Sequence, residues 1–110
     1  MSAPVINPGD LDRRLVLDAP VDTEDGAGGV VTMFQPVTTL WAQVTPLAAR
    51  ADIAADALGA ALRYRIVIRY RADVTTRHRF QDGDRTYRII AVQESTDRRF
   101  LAITAEERED

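Results

Sequence analysis

Apolar and polar residues alternate with a period of two along most of the chain, the pattern of strands with one buried face. The clearest case is RYRIVIRYRAD, residues 63–73. There Tyr64, Ile66, Ile68 and Tyr70 fall on one face, and Arg63, Arg65, Val67, Arg69 and Arg71 on the other. This segment is expected to be a strand with an apolar inner face, tyrosines included, and a cationic outer face. RRLVLD, residues 13–18, reads as a shorter strand ended by Ala19 and Pro20, because proline cannot donate to a central ladder. The acidic, glycine-rich stretch DTEDGAGG (22–29) leads into VVTMF (30–34), so the two runs form a hairpin with an irregular tip. In TTLWAQVTPL, Leu40, Ala42 and Val44 alternate with Trp41, Gln43 and Thr45, a third strand that Pro46 stops.

Beyond the arginine strand, Asp73 to Thr76 forms a turn, RHRFQ from Arg77 a short strand, and Asp82-Gly83-Asp84 a tight hairpin turn. TYRIIAVQE and RRFLAITAEE complete a meander. In the first, Tyr87, Ile89 and Ala91 oppose Arg88, Ile90 and Val92; in the second, Leu101 and Ile103 oppose Phe100, Ala102 and Thr104. The pattern breaks only in LAARADIAADALGAAL (47–62), which has eight alanines, one β-branched residue, Ile53, and one glycine, Gly59. Local propensity there favours a helix started by Thr45 and Pro46. Its apolar face is thin, with Leu47, Ile53, Leu58 and Leu62 as the bulky residues, so the segment is expected to be helix in one context and loop in another. The fold class expected is mostly β: a small antiparallel barrel or sandwich of about six to seven strands with one Ala-rich helical or loop excursion.

At 110 residues the chain fits a single domain, 1–110, with an N-terminal arm (1–10), the Ala-rich insertion (47–62) and an acidic tail (105–110). No apolar run approaches the roughly 20 residues of a membrane helix, and MSAPVINPGD lacks the basic start and apolar stretch of a signal peptide. The chain is expected to be cytosolic at synthesis, with no membrane partner. A formal charge of −3 argues against a protein whose task is to coat DNA. The distribution is more informative than the sum. All 14 basic residues are arginine, and ten of them lie between Arg63 and Arg99, whereas the N-terminal third and the EERED end are acid-rich. A GC-rich genome is sufficient reason for the missing lysine. The two-signed surface is suited to docking on a complementary one, where the planar guanidinium pairs bidentately and stacks.

Candidate chemistry is sparse. Without cysteine there is no disulfide or thiolate site, and His78 is the only histidine, with Ser2 and Ser95 the only serines, so neither a metal cage nor a Ser-His-Asp set is available. Asp82 and Asp84 are turn residues, since a calcium loop needs further oxygen ligands. Gly26 to Gly29 lack the lysine and following helix of a phosphate cradle and read as a flexible hairpin tip. No catalytic residue, cofactor site or metal ligand is assigned. A single-strand nucleic-acid binder would need aromatics on the same face as the arginines, and Tyr64 and Tyr70 alternate away from them.

In order along the chain, GDLDRRLVLDAPV, DGAGGVV, LWAQVTPL, YRIVIRYRADVT, DGDRTYRI and RRFLAITAEE resemble the phage head-tail joining family, small head-completion proteins also described as stoppers, adaptors or head-closure proteins. The resemblance runs from Gly9 to about Glu107, with Phe34 where a tryptophan is common. It implies a structural virion protein of a tailed phage or gene transfer agent: a subunit that forms a ring of six or twelve copies below the portal or adaptor. The ring closes the DNA channel after packaging and gives the tail its docking platform. The implied partners are copies of itself, the portal or adaptor ring above, tail terminator or tail proteins below, and packaged double-stranded DNA read without sequence specificity. The implied place is the head-tail connector, assembled in the bacterial cytoplasm. Arg63, Arg65, Arg69 and Arg71 are then interface candidates. The 47–62 segment occupies the position of a channel loop, with Arg50, Asp52, Ile53, Asp56 and Leu58 as candidates. A tail-completion or neck protein and an OB-like single-stranded nucleic-acid module are the alternatives.

Overall fold

The computed structural model describes residues 8–47 and 62–108. A short 3-10 turn, Pro8–Asp10, precedes six strands: β1 (Arg13–Glu24), β2 (Val30–Pro46), β3 (Arg63–Arg69), β4 (Arg79–Asp82), β5 (Arg85–Glu94) and β6 (Phe100–Arg108). All pairings are antiparallel, and one sheet closes on itself in the order β1-β2-β3-β6-β5-β4. Closure follows from the alternation. Each strand points an apolar set inward: Leu15 and Leu17, Ala42, Ile66 and Ile68, Phe80, Tyr87 and Ile89, then Leu101, Ile103 and Ala105. Val74 caps this core from the loop before β4, and Leu40, Val44, Tyr64 and Val92 pack at its margins. Burial of each large side chain contributes about 1.5–3 kcal/mol, and closing the sheet leaves fewer unpaired edges for other chains to find.

Two of the expected strands are one. Residues 30–34 and 38–45 belong to the single strand β2, and β1 continues past Pro20 to Glu24. Pairing partners supply the reason. β1 has β4 as a second neighbour only over Val16–Asp18, and β2 has β3 only over Ala42–Pro46. Beyond those limits the two strands pair only with each other, so a proline facing the open edge breaks no ladder bond. Pro20 lies opposite Phe34 in this two-stranded stretch, and Pro36 lies opposite Asp18 where β2 has no second neighbour. Between Leu17↔Thr38 and Asp18↔Pro36 the register shifts and leaves Val37 as an extra residue, a bulge that marks where the closed sheet gives way to a projecting ribbon.

A second bulge corrects the expected facing of β5. Ile89 pairs with Ala105 and Ala91 with Thr104, so Ile90 is unpaired and the alternation changes phase. Val92 therefore packs on the core while Ala91 is exposed. The arginine strand is also shorter than its pattern, because β3 ends at Arg69. Tyr70, expected inside, is 44% exposed, and its amide donates to the carbonyl of Arg99 at 2.8 Å. The expected acidic tail begins later than residue 105. β6 runs to Arg108, with Ala105 fully buried opposite Tyr64 and Ile89.

Turn chemistry is where the sequence placed it. Asp82 pairs with Arg85, leaving the loop Gly83-Asp84, and Gly83 takes φ 63°, the left-handed value that favours glycine. At the ribbon tip, Asp25 Oδ1 accepts from the amides of Ala27 (2.8 Å) and Gly29 (3.0 Å), which orders the glycine-rich loop.

Candidate interaction surface

The outer face of β2, β3 and β6 carries a second, smaller apolar cluster. Val67 is 2% exposed although it alternates with the arginines, because Phe100 of β6 and Leu11, just before β1, cover it. The phase of RRFLAITAEE already sets Phe100 opposite to Leu101 and Ile103; only the fold brings Leu11 over it. Around this cluster lie Trp41, 54% exposed, and Arg14, whose Cζ sits 5.5 Å from the Trp41 ring centroid. An open groove lined by Leu11, Asp12, Trp41 and Arg69 runs along its edge. An exposed tryptophan between arginines is the composition of an interface hot spot.

The four arginines singled out from the sequence divide into two pairs. Arg63 and Arg71 are engaged within the chain: Arg63 Nη2 lies 3.5 Å from Glu106 Oε1, across the β3–β6 pairing. Arg71 forms a fork on Asp73, at 3.0 and 2.9 Å, which raises the guanidinium pKa and lowers that of the carboxyl below its usual range. Arg65 and Arg69 are exposed on the outer face and have no ion pair among the described residues. Arg50, Asp52, Ile53, Asp56 and Leu58 lie outside the described residues. The segment they belong to leaves and rejoins the sheet at one place, where the Leu47 amide donates to the carbonyl of Arg63 (2.9 Å) and the Glu107 amide to that of Leu62 (2.8 Å).

The ribbon, formed by Ala19–Glu24 and Val30–Gln35, extends from the opposite end of the sheet for about 20 Å at the usual rise per residue. Its two faces differ. On one, Phe34 lies under Arg79, with Cζ 4.0 Å from the ring centroid, and the Arg79 Nε donates to buried Asp18 at 3.0 Å. Further out on this face Arg77 bonds Asp22 at 3.1 and 2.9 Å, and Asp22 also accepts from the Thr32 hydroxyl at 2.7 Å. These contacts lower the Asp22 pKa, the Thr32 bond most, and fix the ribbon to the loop before β4. The other face is bare: Val31 and Met33 are 46% and 60% exposed, beside Val21 opposite Met33. Sequence reading gave a hairpin with its tip at 22–29, and Pro20 hid the continuation of β1 that makes it a ribbon.

The remaining polar candidates take structural roles. His78 Nδ1 lies 2.9 Å from the Thr75 hydroxyl inside a turn, and the Ser95 hydroxyl donates to Asp97 and accepts from the Phe100 amide. Arg13 reaches Asp82. At the end where the 47–62 segment departs, the Tyr64 hydroxyl donates to Glu107 at 2.8 Å and its ring meets Tyr87 edge-on at 5.3 Å. The Glu107 bond, with burial second, raises the Tyr64 pKa. Among the described residues no group of three or more His, Asp or Glu side chains could hold a metal ion.

The chain is a small closed β-sheet with a projecting ribbon and a cationic, tryptophan-bearing outer face. The chain belongs to the phage head completion protein family, whose model matches residues 6–108. It is therefore a phage head structural protein by family. Among solved structures it is similar to a chain of the virion of a native gene transfer agent particle, at 28% identity and a TM-score of 0.68, covering 91% of this chain and 97% of that one. It is also similar to protein SF1141 from Shigella flexneri 2a, determined in solution, at 29% identity and a TM-score of 0.70, covering 93% and 96%. No curated protein matches the chain.

Proposed function

We propose that this chain is a structural virion protein of the head-tail connector. It forms a ring of six or twelve copies below the portal or adaptor, closes the DNA channel after packaging, and offers the tail its docking platform. Family membership across residues 6–108 carries the reading, and the likeness to a chain of a gene transfer agent virion over nearly its full length supports it. Two surface features fit that task. A face with Arg65, Arg69 and Trp41 on one side, and an acid-bearing ribbon on the other, provide the two unlike surfaces that a head-to-tail ring contact needs. The 47–62 segment, tied at both ends to one rim of the sheet, is the element we assign to the channel.

The test is negative-stain microscopy of particles from the source genome with this gene deleted. Separate DNA-depleted heads and free tails are expected; normal tailed particles would overturn the reading, and tailed particles with a malformed neck would move it to a tail-completion layer. A second reading has one observation in its favour: Trp41 shares the outer face with Arg14 and Arg69, as a base-stacking platform requires. Salt-sensitive binding of single-stranded DNA by the purified protein would support an OB-like module instead.

A further inference from the structure

We propose that the end of the sheet formed by the β5–β6 turn and Tyr70 holds the protein of the adjoining ring, with Arg98 and Arg99 taking carboxylates of that partner. This rests on the connector reading above and names the residues and the chemistry of its docking platform.

The turn keeps a strained residue that its own bonds do not explain. Among the described residues four have a positive φ: Gly26, Gly28, Gly83 and Arg98, the last at 60°. Glycine adopts this left-handed region freely, and a residue with a Cβ does not. The Ser95 amide donates to the Phe100 carbonyl and the Arg98 amide to that of Ser95, both at 2.9 Å. Asp97 accepts from the Ser95 hydroxyl at 2.6 Å and from the Arg99 amide at 3.2 Å. Glycine at 98 would keep every one of these bonds. The Arg98 Nε lies 3.8 Å from Glu94, but the two side chains are 84% and 48% exposed, and an ion pair so open contributes little. Strain held at an exposed position, with no return inside the fold, is characteristic of contact and ligand sites.

The surroundings fit a contact. The Tyr70 amide donates to the Arg99 carbonyl one step beyond the Arg69–Phe100 pair, which sets Arg99 beside Tyr70. Tyr70 is exposed although its alternation points it inward, and Arg99 is exposed with no ion pair among the described residues. Tyrosine and arginine are enriched among the residues that carry interface energy. This end lies opposite the rim that the 47–62 segment leaves, and it leaves the outer face of β2 and β3 free for contacts within the ring.

The chemistry favours a protein over a nucleic acid. Glu94 and Asp97 lie in the same turn, and Asp73 in the loop after Tyr70, so this surface carries both signs. Such a surface repels a uniform run of phosphates and suits a protein face on which carboxylates alternate with N–H donors.

The test separates folding from contact. In urea unfolding of the purified full-length chain, Arg98→Gly should raise the folded-to-unfolded ratio about threefold, since the turn no longer holds a Cβ in the left-handed region. A ratio that falls would show that the arginine serves the turn itself and would overturn the proposal. Supplied to a strain lacking the gene, Arg98→Gly should lower the yield of tailed particles about tenfold, and Arg98→Glu with Arg99→Glu about a hundredfold. Full yield from both variants contradicts the contact and leaves the connector reading intact. Second-site changes that restore the double variant should replace acids in another virion protein. Changes confined to this chain would make a second copy the occupant, and tailed heads that lose their DNA would make it the DNA; either overturns the assignment. Normal tailed particles from the strain lacking the gene would overturn the connector reading as well.

Discussion

The two halves of β1 are one continuous strand with opposite surroundings. From Arg13 to Asp18 it pairs with β2 throughout and with β4 over Val16–Asp18, and Leu15 and Leu17 are fully buried. From Ala19 to Glu24 it has β2 alone as neighbour, and its apolar residue Val21 contributes to an open face. What decides the difference is the number of strand neighbours. A strand paired on both edges inside a closed sheet shares in global stability. A two-stranded ribbon is marginal by itself and depends on its anchors. Here the anchors are Arg79, which joins buried Asp18 to the Phe34 ring, and Arg77, which joins Asp22 to the loop before β4.

The comparison is broken most severely in the core. Phe80→Ala removes a fully buried ring and should cost about 3–5 kcal/mol in urea unfolding, taking the ribbon with it in one transition. If the ribbon signals were unaffected when the sheet melts, the two regions would not be coupled.

Next in size is the junction. Arg79→Ala strands the Asp18 carboxylate, 5% exposed, without its partner, and should cost about 3 kcal/mol by the same measurement. Because the cost is an orphaned charge, Asp18→Val with Arg79→Met should recover most of it; a double variant as unstable as Arg79→Ala would assign the loss to packing on Phe34.

The smallest effects come from pH, which should loosen the two regions from opposite sides. The Asp22 carboxylate is held below its usual pKa by the Thr32 hydroxyl and then Arg77, and that of Asp25 by the Ala27 and Gly29 amides. A depressed carboxyl contributes stability that is complete above about pH 4 and lost as pH falls through the lower folded value, so acid acts on the ribbon. The Tyr64 hydroxyl is raised by its bond to Glu107. Its contribution is complete below about pH 10 and lost as pH rises through the folded value, so alkali acts where β3 and β6 begin and end. NMR titration should show the Gly29 amide moving first in acid and the Ala105 amide, opposite Tyr64, moving first in alkali. The reverse order would contradict these assignments.

Much of the fold was legible because a period of two leaves few options: the inward sets of β1, β3, β4 and β6 lie where alternation places them. Departures occur where alternation is interrupted without a compositional mark. Ile90 and Val37 are ordinary strand residues that happen to be bulged, and no local signal distinguishes them from their neighbours. Pro20 reads as a terminator because a proline is costly only where its missing N–H should face another strand, and the absence of that strand is a tertiary fact. The arginine surface was legible as a face but not as a site. Sequence grouped four residues, and geometry divided them into Arg63 and Arg71, satisfied at home, and Arg65 and Arg69, turned outward, with Arg69 beside Trp41.

The sequence by itself determined that this chain is mostly β, which side chains build its core and where its glycine turns fall, since these follow from local sterics and period-two burial. Only the tertiary structure decided how far each strand extends, which edges stay open, and that a ribbon with one bare face stands out from the closed sheet. Those properties depend on which strands become neighbours, and pairing across the 43 residues from Arg63 to Glu106, or the 61 from Asp18 to Arg79, is written in no local stretch of residues.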